Sequence, residues 1–183
     1  MRYSILLLCL PACFGQTIAT DDYLRNDLSA GFRYEVVGDS PGYGLRYSHR
    51  PLRWLEFEAG LDQIPRPIGA SECCEYVTNA NDELFLVPFG ARYVFEPGEQ
   101  RIRLSVGGGG AYMNHTIGNN VFPNSHLDIS GWGDQFVAAG DYGLTRSGRF
   151  RVGVTGRYYY IRVGPYQTGR IFTVGPDFTY SFR

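Results

Sequence analysis

The sequence predicts an all-β fold, an eight-stranded antiparallel up-and-down barrel. Two observations carry that expectation: apolar and polar residues alternate with period two through most of residues 30–182, and no stretch repeats apolar residues at i, i+3, i+4 and i+7. Composition leans the same way, with Gly 24, Tyr 14 and Phe 12 against Met 2 in 183 residues. The alternating segments fall at about 30–38, 42–50, 53–62, 83–95, 101–113, 131–145, 149–162 and 169–182.

In every segment one face is apolar. Phe32, Tyr34 and Val36 share it in the first, Phe85, Val87, Phe89 and Ala91 in the fourth, and Phe172, Val174, Phe178 and Tyr180 in the last. The opposite face is polar or small. It holds Arg33, Glu35, Arg46, Glu56, Glu58, Arg92, Arg103, Asp141, Arg151, Arg157 and Asp177, both signs in near balance. Alternation alone leaves open which face points inward, because a soluble barrel alternates in the same way.

Turns and rings give the direction. Connections at 49–52, 96–100 and 145–148 are short, whereas 62–82 and 114–130 are long, so one rim has tight turns and the other long loops, the arrangement of a transmembrane barrel. Aromatic residues gather toward both strand ends, Tyr47, Tyr93, Phe95, Tyr142, Phe150 and Tyr180 at the tight-turn end and Tyr34, Phe85, Tyr112, Trp132 and Tyr160 at the other. Rings with one polar edge suit the headgroup zone, and the aliphatic stretch between suits a hydrocarbon band about 25 Å tall. The apolar face is therefore expected to meet lipid. The charged face then fills the middle as a plugged, hydrogen-bonded ion network rather than an open pore. Pro88 and Pro176 interrupt proposed strands, and a bulge is expected at each.

The last strand carries Thr173, Gly175, Phe178, Tyr180 and Phe182 in the order polar, any, Gly, two residues, aromatic, any, aromatic. That pattern resembles the C-terminal β-signal of outer-membrane proteins, with Arg183 added beyond the usual terminal aromatic. By architecture the chain is similar to small eight-stranded outer-membrane barrels of the OmpA/OmpX type. The resemblance implies a Gram-negative-type outer membrane, contact with its lipid, and insertion by machinery that reads the final strand.

Residues 1–19 read MRYSILLLCLPACFGQTIA, one cation followed by an apolar run from Ile5 to Phe14. The run is short of the roughly 20 residues a spanning helix needs, so a cleavable signal peptide over 1–15 is expected, with 19 as the alternative end. Residues 16–29 then form an N-terminal segment and 30–183 the barrel. Acylation at Cys13 would need a lipoprotein motif that Pro11 spoils. Signal removal leaves Cys73 and Cys74 adjacent, either a vicinal disulfide or two ends of intermolecular bridges; a loop cross-link without chemistry is the simpler reading.

Function is less legible. A net charge of -1 offers no field to attract nucleic acid. No cofactor or metal is expected: Gly107–Gly110 is followed by no Lys-Ser/Thr pair, and His115 and His126 lie far along the chain from the cysteines. An outer-membrane lipid A hydrolase or acyltransferase would draw on His126 or His115 with Ser125 or Asp128, but Asp128 stands where the deacylases place a serine two residues after the histidine. The expectation is therefore no catalytic residue. What remains is a structural or surface-interaction barrel whose long loops could meet an extracellular partner. A soluble secreted ligand-binding barrel is the further alternative, and it would need an apolar interior.

Overall fold

The computed structural model describes residues 24–36, 39–67, 81–97, 101–118, 126–163 and 167–183. The expected signal peptide, Cys13, Cys73, Cys74 and Ser125 lie outside them. Eight strands follow in order: β1 (Asn26–Glu35), β2 (Ser40–Leu52), β3 (Leu55–Pro67), β4 (Asn81–Phe95), β5 (Ile102–Gly118), β6 (His126–Gly143), β7 (Phe150–Val163) and β8 (Gln167–Phe182). Each pairs antiparallel with the next, and β8 returns to β1, so the barrel is closed. Closure satisfies backbone donors and acceptors that lipid could not.

Asn26 pairs with both His49 and Phe182, which puts the two ends of the barrel sequence on one rim, here called the terminal rim. The β2–β3, β4–β5 and β6–β7 connections share it. The first of these is the pair Arg53–Trp54, not the expected 49–52. The third closes through Gly148 at φ 66°, a left-handed conformation that glycine adopts without a Cβ clash, and the Gly148 amide donates to the Thr145 carbonyl at 3.0 Å.

Side-chain orientation follows the alternation. Phe32, Phe136, Phe178, Trp132 and Val106 each expose 60% or more of their surface on the outside. Arg103 and Glu56, by contrast, retain 4% and 2% inside. The order of a water-soluble protein is inverted, as a lipid surround demands.

Several boundaries depart from the sequence-based expectation. β1 starts at Asn26, four residues before the expected barrel start, and ends at Glu35 rather than 38. The long connections are shorter than 62–82 and 114–130: β3 runs to Pro67, β4 starts at Asn81, β5 runs to Gly118 and β6 starts at His126. The ladder there is regular, for example Pro65↔Glu83 and Thr116↔Asp128. These extensions rise above the apolar band, where both faces of a strand can be polar, so alternation of hydropathy stops before the strand does.

Neither internal proline makes a bulge. The β3–β4 register is the same on both sides of Pro88, from Ala59↔Phe89 to Asp62↔Leu86, and the ladder merely opens for the two residue pairs between. Pro176 does the same between Gly31↔Asp177 and Tyr34↔Val174. Losing one N–H removes bonds on one side only; on the other, Pro88↔Ala111 and Val154↔Pro176 remain paired. The register shift that does occur lies between His49 and Leu52, around Pro51.

Candidate functional site

The inward side chains of β3, read away from the terminal rim, are Glu56, Glu58, Asp62 and Ile64, with Gly60 between. Those of β7, on the diametrically opposite wall of an eight-membered ring, are Arg151, Thr155, Arg157, Tyr159 and Ile161, with Gly153 between. Acids on one wall thus face cations on the other, and both columns end in isoleucine. The lumen is built in two storeys.

The lower storey is ionic. Among the described residues the lumen buries seven arginines (33, 46, 50, 92, 103, 151, 157) and seven carboxylates (Asp27, Glu35, Glu56, Glu58, Asp62, Asp141, Asp177), all on the lower levels except Glu35, which ends β1 two residues above Arg33. Arg157 grips Glu58 with two parallel bonds, 2.7 and 2.6 Å, and also donates to the side-chain Oε1 of Gln135. Glu58 accepts from Arg92 as well at 2.8 Å, and Arg92 reaches Glu56 at 2.7 Å. Arg103 joins Asp27 at 2.5 Å and Asp141 at 3.2 Å. Because β1 lies opposite β5 and β3 opposite β7, the Arg103–Asp27 and Arg157–Glu58 pairs each cross the full diameter. Nearer the terminal rim Arg50 holds Glu96 at 2.8 Å and donates to the Leu24 carbonyl at 2.7 Å.

A second network lies above the first. Arg33 donates to Asp177 at 2.5 Å and sits 3.3 Å from Asp62; Arg46 reaches Asp62 at 3.2 Å and Asp177 at 3.7 Å. The Tyr159 hydroxyl completes it, donating to Asp62 across the barrel at 2.7 Å. Glycines make room for these acids. Gly44 faces Asp62, Gly31 faces Asp177 and Gly153 faces Asp141 in the ladders, and a Cβ on any of the three would run into the aspartate Oδ1 opposite.

The upper storey is apolar. Ile64, Leu84, Leu86, Ala111, Met113, Ile161 and Ile171 pack with Tyr159 into one buried cluster. This corrects the expectation of an interior that is polar or small throughout. The signal was present as parity: Leu84, Leu86, Met113 and Ile161 occupy the inward phase of their strands.

All eleven lumen residues named from the sequence point inward and are buried. Sequence reading missed Asp27, Arg50, Asp62, Gln135 and Tyr159, the first because β1 was begun too late and Asp62 because it was given to a loop. In β8, Thr173 and Gly175 face the lumen, while Phe178 and Tyr180 point outward. The Tyr180 ring lies 5.1 Å from Phe150 and 5.9 Å from Phe182.

Of the residues weighed for catalysis, His115 and Asp128 are not brought together. His115 pairs with Ile129 in the ladder and Asp128 with Thr116, so the histidine and the aspartate occupy opposite faces of the wall. Asp128 accepts from the Thr116 hydroxyl at 2.8 Å on the exposed side. His126 begins β6, and Ser125 lies outside the described residues. No group of three or more metal-ligating side chains occurs among the described residues.

No protein-family model and no curated sequence matches the chain. Solved structures do match its fold. Neisserial surface protein A superposes with a TM-score of 0.60 at 15% identity, covering 87% of this chain and 96% of that one. Ail of Yersinia pestis, in complex with the heparin analogue sucrose octasulfate, gives 0.60 at 13% identity over 87% and 99%. The outer membrane protein OprG of Pseudomonas aeruginosa gives 0.60 at 12% identity over 88% and 97%. The fold is that of the small eight-stranded outer-membrane barrels, and the lipid-type exterior agrees with a place in such a membrane.

Proposed function

We propose that this chain is a non-conducting outer-membrane barrel with a structural or surface-interaction role. The terminal rim faces the periplasm and the loop rim the cell exterior. The observation that carries this reading is the pair of cross-diameter struts, Arg157–Glu58 and Arg103–Asp27, capped by the apolar cluster around Ile64 and Ile161. An ion crossing the barrel would have to break charge-assisted bonds in the lower storey and shed its water in the upper one. A soluble barrel would leave Phe136 and Phe178 in water.

Recognition of an outside partner falls to residues 68–80 and 119–125, the β3–β4 and β5–β6 connections, since connections on a rigid scaffold commonly carry it. Ail holds a sulfated sugar analogue. Here residues 68–80 contain Glu72 and Glu75 with no arginine, and residues 119–125 carry no formal charge, so a neutral or cationic partner fits better than a polysulfate. The final strand, with Thr173, Gly175, Phe178, Tyr180 and Phe182, is the segment for the insertion machinery to read.

Planar-bilayer recording tests the plugged lumen. Purified folded protein should give no stable, large conductance steps at either polarity, and regular ohmic steps would overturn the reading.

A further inference from the structure

The lumen accounts for seven of the chain's arginines, and another group gathers at one edge. Every one of the 17 strong cations in the chain is arginine; there is no lysine. Arg101 precedes β5, Arg146 and Arg149 lie in the β6–β7 turn, and all three are exposed. Arg25 precedes β1, Arg53 sits in the β2–β3 turn, and Arg183 follows β8. The six therefore surround the terminal rim.

The placement is fixed by backbone rather than left to loose turns. The Arg25 carbonyl accepts from Arg50 N at 2.7 Å, the Arg101 carbonyl from Gly143 N at 2.6 Å, and the Arg149 carbonyl from Ser181 N at 2.7 Å. Glu96, the described carboxylate of this rim, turns to Arg50 at 2.8 Å and Arg151 at 3.9 Å, away from Arg101, Arg146 and Arg149.

Directly above the ring runs a girdle of rings. Trp54 and Tyr93 stand 6.3 Å apart, Phe150 and Tyr180 5.1 Å, and Tyr142 and Phe95 are exposed on the same level. Such a girdle marks the headgroup plane, so the arginines stand where phosphodiesters lie. A guanidinium meets a phosphate with two parallel N–H donors, which an ammonium cannot do.

We propose that the terminal rim is a binding surface for anionic phospholipid headgroups, which hold the barrel at a set depth in the inner leaflet. The leaflet named rests on the orientation given above; the lipid preference itself does not. The test uses the folded full chain in phosphatidylcholine vesicles carrying spin-labelled phosphatidylglycerol or phosphatidylcholine, read by electron paramagnetic resonance.

The motionally restricted fraction should favour phosphatidylglycerol by roughly fivefold, the preference expected of a cationic segment near an anionic surface. That preference should fall by at least half in Arg101→Gln/Arg146→Gln/Arg149→Gln, which removes three of the six rim arginines, and to near unity in 1 M NaCl. It should persist in Arg162→Gln/Arg170→Gln, whose arginines are on the outer wall near the loop rim. Equal association of the two lipids with the wild type, or a preference left unchanged by the triple substitution, would overturn the proposal. If the triple variant fails to fold, the salt response of the wild type decides. Both leaflets of these vesicles are alike, so an error in the assigned orientation would appear in protease accessibility of residues 68–80 and leave the lipid preference intact.

Discussion

Arg157 and Glu58 clasp across the full width of the barrel, two parallel bonds of 2.7 and 2.6 Å between strands β7 and β3. Both partners are almost wholly buried. A buried ion pair gives little net stability against an apolar pair of equal volume, but removing one member is costly because the other is stranded. The pair's contribution is therefore to geometry: it fixes which walls face each other and leaves no straight path along the axis.

Glu58→Ala should strand Arg157 and weaken Arg92, costing about 3–5 kcal/mol, whereas Glu58→Leu/Arg157→Leu should cost distinctly less. Urea unfolding of the vesicle-inserted barrel measures both. A double variant as unstable as the single would contradict the account.

Gly44→Ala should destabilise by about 1–3 kcal/mol, since its Cβ meets the Asp62 carboxylate that Arg33, Arg46 and Tyr159 share. Gly169→Ala is the contrast. A Cβ there meets nothing within 4 Å, and the gain in strand stiffness should make it neutral or stabilising by about 0.5–1 kcal/mol. The same unfolding assay, run side by side, would expose the idea as wrong if the two behaved alike.

Val106→Arg places a cation on the outer wall midway between the two belts and should cost about 2–4 kcal/mol in a bilayer. Arg162→Ala, high on the same wall, should shift stability by less than about 1 kcal/mol. Equal costs for the two would mean that the hydrocarbon band lies elsewhere.

The outward face was legible because lipid imposes one rule on every strand: Phe32, Phe89 and Phe178 declare it by parity alone. The eleven charges of the lumen followed as its complement. The upper storey was not legible in that way. Leu84, Leu86 and Met113 face inward beside outward Phe85, Val87 and Tyr112, so hydropathy is high on both faces and carries no phase. Asp62 read as the start of a loop because its partners, Arg33, Arg46 and Tyr159, come from three other strands, and such contacts leave no local trace. The prolines misled for a different reason. A missing donor need not shift a register when the strand is held on its other side, as Pro88 is by Ala111.

The inverted arrangement of the wall is tested most directly by nuclear Overhauser contacts between lipid acyl chains and the labelled, folded protein in nanodiscs. Acyl methylene signals should reach Val106, Phe136 and Phe178 and should be absent from Arg103, Thr155 and Arg157. Acyl contacts to those three inward residues, with water contacts at Val106 and Phe178, would contradict the account.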